Sequence, residues 1–115
     1  MIRTFDVRNP TGGPLGVLLG HEYAVRRLAW SPHASDTLLS ASYDMTVRLW
    51  NDASSHPQQE AVGPRVGTQM GVMNRHTEFA TGVDWCLFGM GGWVASVGWD
   101  EKLLLWDANM LIGHR

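Results

Sequence analysis

The chain repeats itself, and the repeat limits what it can fold into. Setting Gly20-His21 against Arg75-His76 aligns Val25, Leu28 and Trp30 with Ala80, Val83 and Trp85, at offsets of four, seven and nine from each histidine. Further on, Leu38–Asp44 (LLSASYD) matches Val94–Asp100 (VASVGWD), and Thr46–Asn51 (TVRLWN) matches Lys102–Asp107 (KLLLWD). Asp to Trp is six residues in both copies, and His to Asp is 23 in one and 24 in the other. A partial third copy leads the chain: Ile2–Asp6 aligns with the closing run, with Phe5 where Trp50 and Trp106 stand. Phe5 to Trp50 is 45 residues and Trp50 to Trp106 is 56, so the second interval carries 11 more, within Asn51–Arg75, a stretch rich in Ser, Pro, Gln and Gly. A unit of this size that recurs at a fixed period buries its apolar face by stacking on its neighbours.

Each short run alternates or is wholly apolar, which suits strands buried between stacked sheets. Val25, Leu28 and Trp30 are expected to fill the space between units, as are Leu49 and Leu105 beside the repeat tryptophans. Gly12-Gly13 and Gly91-Gly92 read as hairpin turns. Recurrent His, Asp and Trp at these spacings resemble the WD-repeat family, over nearly the whole chain. The resemblance implies an all-β fold: a β-propeller fragment of about two blades, each a four-stranded antiparallel sheet, plus the closing strand of a preceding blade. The expected division is 1–9 closing strand, 10–51 blade, 52–75 insertion with an outer strand, 76–111 blade and 112–115 tail. A propeller usually needs at least about four blades, so the chain is expected to be a truncated product or to fold only with further sequence.

In this family the turn aspartate accepts a hydrogen bond from the repeat histidine, and a strand hydroxyl joins that histidine to the tryptophan indole. The resemblance assigns this network to His21, Ser42, Asp44 and Trp50 in the first blade. In the second, Gly98 replaces the expected hydroxyl, Ser96 lies two residues too early, and Arg75 replaces the preceding glycine. His76, Asp100 and Trp106 are therefore expected to form a weaker, three-member version. The role of these groups is structural: buried polar groups must be paired, and an unpaired buried carboxylate is costly.

Catalytic and metal chemistry find no support. None of His21, His33, His56, His76 and His114 pairs with Cys86 or another histidine at zinc spacing. No Gly-x-Ser-x-Gly elbow and no phosphate-loop Gly-Lys-Ser/Thr occurs. Met70, Met73 and Met90 read as loop or gap-filling residues, and Gly113-His114 imitates a repeat start with nothing after it. The expectation is no enzyme, no cofactor and no metal. The net charge of −2, with no basic run beyond Arg26-Arg27, argues against a nucleic-acid partner. No apolar stretch approaches the roughly 18–20 residues that cross a bilayer, and Met1–Asp6 has no signal-peptide core. A single cysteine cannot form an internal disulfide, which fits a reducing compartment. The chain is expected to be soluble and intracellular.

Within the WD-repeat family, several non-repeat words are similar to the receptors for the type-2 peroxisomal targeting signal: HEYAVRR from His21, SYDMTVRLWN from Ser42, RHTEFATGVD from Arg75, Trp99-Asp100-Glu101 and Asp6-Val7-Arg8-Asn9. The match runs from about Ile2 to Leu111 and corresponds to the C-terminal part of such receptors. It implies a non-catalytic import receptor that shuttles between cytosol and peroxisomal matrix. Such a receptor binds the N-terminal helix of cargo proteins, aided by a co-receptor and peroxisomal docking proteins, without entering the membrane itself. Another WD adaptor, for chromatin and histones or for a ubiquitin ligase, is the alternative. The helix is expected to meet the face formed by the loops after each repeat His and before each turn Asp, which points to Glu22, Tyr23, Tyr43, Glu78, Phe79 and Trp99. The two carboxylates would meet basic cargo positions, and the aromatics would serve as interface anchors.

Overall fold

The computed structural model describes residues 2–4, 16–34, 36–51, 65–66, 68–87 and 92–111. In chain order the strands are β1 (Ile2–Thr4), β2 (Gly16–Leu18), β3 (Val25–Trp30), β4 (Thr37–Ser42), β5 (Val47–Asn51), β6 (Arg65–Val66), β7 (Thr68–Met73), β8 (Ala80–Trp85), β9 (Trp93–Gly98) and β10 (Leu103–Asp107), followed by a 3-10 turn at Ala108–Met110. The fold is all-β. Phe5, the Gly12-Gly13 turn, Met90, Gly91, the 52–64 stretch and the 112–115 tail lie outside the described residues.

The middle sheet has the order β3-β4-β5-β7, with every neighbour antiparallel. Its second strand is buried from Leu38 through Ser42. Alternation sends Leu39 and Ala41 to one face and Leu38, Ser40 and Ser42 to the other. Both faces are covered, so the serine hydroxyls need protein partners. The third sheet runs β8-β9-β10, and the first runs β1-β2-β6. Sheet boundaries fall at each repeat histidine. β2 ends three residues before His21 and pairs with β1, and β7 ends three residues before His76 and pairs with β5. The outer strand of one sheet therefore leads directly into the inner strand of the next.

The middle sheet is packed on both sides. On one side Leu39, Ala41, Val47, Leu49 and Met73 form a core with Ala80, Trp85 and Val94 of the third sheet. The Trp85 indole donates to the Ala29 carbonyl at 2.9 Å, tying the inner strands together. On the other side Leu38 and Trp50 pack with Ile2 and Leu18. Each fully buried aliphatic side chain contributes about 1.5–3 kcal/mol.

Of the five residues expected to fill the space between blades, Leu49 is buried and Val25 half-buried, but Leu28, Trp30 and Leu105 are 51%, 50% and 70% exposed. The expectation fails for these three because burial depends on a neighbour. Ile2 of β1 and Leu18 of β2 pack on Leu38 and Trp50 with Val25 against them, and Leu28 and Trp30 lie outside that cluster. Leu103 and Leu105 stand where Val47 and Leu49 stand in the repeat, on the face of the third sheet turned away from the middle one. Uncovered apolar sheet faces drive association. The 115-residue chain should therefore self-associate as its concentration rises, and Leu105→Lys should shift it toward monomer with little loss of stability. Sedimentation velocity checks this, and a parent chain that stays monomeric at high concentration would contradict it.

Candidate protein-docking face

Two polar networks brace one end of the middle and third sheets. In the middle sheet the Trp50 indole donates to Ser40 Oγ at 2.8 Å. Ser40 Oγ also meets His21 Nε2, and His21 Nδ1 lies 2.8 Å from Asp44 Oδ2. An indole N–H can only donate, so Ser40 accepts from Trp50. In the neutral imidazole the Asp44 carboxylate places the proton on Nδ1, and Nε2 accepts from the Ser40 hydroxyl. Burial pushes the His21 pKa below its ordinary value, against the opposing pull of Asp44. Asp44 is held at about 2: burial raises it, but hydrogen bonds from Thr46 and His21 outweigh that. Its carboxylate also accepts the Glu22 and Thr46 amides at 3.2 and 3.0 Å, and Arg48 lies 3.5 Å away. The following residue, Met45, has a left-handed backbone (φ 71°), a conformation that an aspartate side chain bonded into the turn helps to hold.

The hydroxyl assignment from sequence is corrected here: the bridge between His21 and Trp50 is Ser40, not Ser42. Both serines lie on one face of β4, but Ser40 is the diagonal neighbour of Trp50 across the β4–β5 ladder. Ser42, at the strand end, instead bonds the Tyr23 and Ala24 carbonyls at 3.2 and 3.0 Å and accepts the Asp44 amide at 3.1 Å. The third sheet is corrected in the same way, because its network is complete. Ser96 Oγ lies 2.9 Å from His76 Nε2 and 3.0 Å from the Trp106 indole nitrogen, and His76 Nδ1 lies 3.0 Å from Asp100. Asp100 too is held below the usual carboxylate range: burial raises it, and the Thr77 amide and His76 outweigh that. Gly98 is required by close approach, since a Cβ there would sit 2.7 Å from the Phe79 carbonyl oxygen. The signal was present in the sequence: Ser40 and Ser96 each stand four residues before the turn Asp and ten before the Trp. Ser40→Ala is expected to cost about 1–3 kcal/mol, since it strands the buried Trp50 donor, and Ser96→Ala should cost a similar amount. Chemical denaturation of both variants checks this, and a Ser96→Ala loss near zero would break the equivalence.

Both imidazoles are enclosed with both ring nitrogens engaged, so neither is available to a substrate. Among the described residues no group of three or more His, Cys, Asp or Glu is placed to hold a metal ion, and no helix is long and apolar enough to cross a membrane.

What the networks position is a loop surface. The Glu22 and Thr77 amides donate to Asp44 and Asp100, while the Tyr43 and Trp99 amides donate to the Ala24 and Phe79 carbonyls, both at 2.9 Å. Each inner-strand loop is thereby locked to the adjacent hairpin turn. Three of the six residues selected from sequence meet across the seam between the two sheets. Phe79 lies between Tyr43 and Trp99, with ring centroids at 4.4 and 4.9 Å. Arg26, which was not among the six, places its guanidinium 5.3 Å from the Tyr43 ring centroid. It stands on β3, one residue past the repeat position Val25, outside the loops from which the six were selected. Trp99 remains 62% exposed and Tyr23 64%, and Glu22 and Glu78 are exposed on the same loops. The result is an aromatic ridge with carboxylates beside it.

Residues 12–51 match the WD domain, G-beta repeat family. Over 102 residues the chain is 44% identical to a protein of Komagataella phaffii named peroxisomal targeting signal 2 receptor, covering 84% of this chain and 27% of that one. It is 42% identical over 108 residues to a Schizosaccharomyces pombe protein of the same name, covering 94% and 31%. To peroxisome biogenesis protein 7 of Arabidopsis thaliana it is 38% identical over 97 residues, covering 84% and 27%. The chain spans between a quarter and a third of the length of these relatives.

Proposed function

Because the chain belongs to the WD-repeat family, we propose that it forms part of a peroxisomal import receptor that binds the type-2 targeting signal of cargo proteins. The observation that carries the proposal is the 44% identity to a protein named as that receptor. The mechanism is binding alone. An amphipathic cargo helix lays its apolar side on the ridge of Tyr43, Phe79 and Trp99, in a helix-in-groove mode, while Glu22 and Glu78 face its basic positions. Tyr23 extends the apolar contact. The networks supply rigidity, so little loop entropy is lost when the helix docks. A co-receptor and docking proteins at the peroxisome complete the cycle, which runs between cytosol and matrix without catalysis. No observation favours a chromatin or ubiquitin-ligase adaptor.

A chimera tests the role: this chain replaces the matching segment of the Komagataella phaffii receptor, and import of a reporter carrying a type-2 signal is scored in receptor-deficient cells. Import is expected. Trp99→Ala in the chimera should weaken binding of the signal peptide about tenfold, the loss of roughly 1.4 kcal/mol typical of a modest anchor. A folded chimera that binds a histone tail but not the signal peptide would overturn the proposal.

A further inference from the structure

We propose that β6, within the longer second repeat interval, acts as a strap that laces the outer rim of one blade to the next. β2 and β7 are equivalent outer strands. Each ends three residues before a repeat histidine, and each pairs antiparallel with a closing strand, Ile2 against Leu18 and Val47 against Met73. The outer edge of β2 carries β6, joined in parallel with Gly16 opposite Arg65 and Val17 opposite Val66. β6 belongs to the interval that is 11 residues longer. A single residue, Gly67, separates β6 in the first sheet from β7 in the middle sheet. One run of chain is thus hydrogen-bonded to two sheets in succession.

A second crossing lies close by. The link from β2 to β3 passes Gly20, where a Cβ would fall 2.8 Å from Gln69 Oε1 of β7 and 2.9 Å from the Trp50 ring. The first sheet is therefore tied to the middle sheet both through its own chain and through β6. Two physical consequences follow. The outer edge of β2 is closed to strand addition, which an open edge invites. The two outer strands also open together, because releasing β6 frees both the β2 edge and the lead into β7. Local openings of this kind set amide exchange rates.

Hydrogen exchange on the full chain reads this directly. Deleting residues 56–66 removes β6 and restores the shorter interval. Exchange within Gly16–Leu18 should then rise at least tenfold, while Leu38–Ser42 keeps its protection. Arg65→Pro and Val66→Pro, made separately, supply the same test without a deletion. Neighbouring strand amides point to opposite sides, so one of the two should raise exchange in Gly16–Leu18 more than the other. Unchanged exchange in Gly16–Leu18 in the deletion variant, or in both proline variants if the deletion does not fold, overturns the strap.

Discussion

Trp50→Ala should lower the unfolding free energy by about 3–5 kcal/mol, the range for removing a large buried aromatic, and Trp106→Ala should cost clearly less. The two tryptophans hold equivalent places and make equivalent bonds, to Ser40 and to Ser96. Their surroundings differ. Trp50 is 1% exposed, packed with Ile2, Leu18 and Leu38 and against the Gly20 backbone. Removing it opens a cavity between two sheets and strands a network that also holds His21. Trp106 is only half-buried, so part of its surface is already in water and less is lost on truncation. The comparison belongs in the Leu105→Lys background, because association makes apparent stability depend on concentration. Urea unfolding followed by far-ultraviolet circular dichroism suits a chain with six tryptophans. Equal losses would mean that the shared hydrogen bond, and not packing between sheets, dominates.

Most of the scaffold was legible because its markers are polar groups in places that must otherwise be apolar. A histidine, an aspartate and a tryptophan recurring at matched spacing require partners, and the partners are one another. The aromatic ridge followed from the same logic, since residues adjoining the network are held at one end of the sheets. Four things were not legible, each for a physical reason. Ser40 and Ser42 share a face, and only depth along the strand decides which one meets the indole. Leu28, Trp30 and Leu105 carry the pattern of buried residues, but a pattern states which face is apolar and not whether anything covers it. β6 is two residues long and parallel to its partner, too short for any periodicity, so its pairing emerges only in three dimensions. The sheet boundaries were hidden because the repeat is marked by its network, and the outer strand lies just before the marker.

Acid should weaken the fold in two steps, and Asp44→Asn should shrink the second, to which Asp100 also contributes. His21 has a folded pKa below its ordinary 6.5, so the unfolded chain takes a proton before the folded one does. Its neutral form supports the fold above that pH, and the support is lost as pH falls below 6.5. Asp44 titrates at about 2 when folded against 3.8 ordinarily. Its contribution is present above 3.8 and is lost as pH falls from there toward 2. Both shifts have the same sign, so the losses add. At neutral pH Asp44→Asn should cost about 2–3 kcal/mol, because the amide has one acceptor oxygen where the carboxylate has two: set in place of Oδ2 it keeps the His21 and Glu22 donors, but its N–H groups then face the Thr46 amide and leave donors unpaired. The parent carboxylate itself becomes protonated near pH 2, so the stability gap between parent and variant should narrow as pH falls through that window. Urea midpoints for both proteins at pH 7, 5, 3.5 and 2.5 decide it. A gap that stays constant across that range would mean the carboxylate charge contributes nothing, and that Asp44 serves the turn only through its shape.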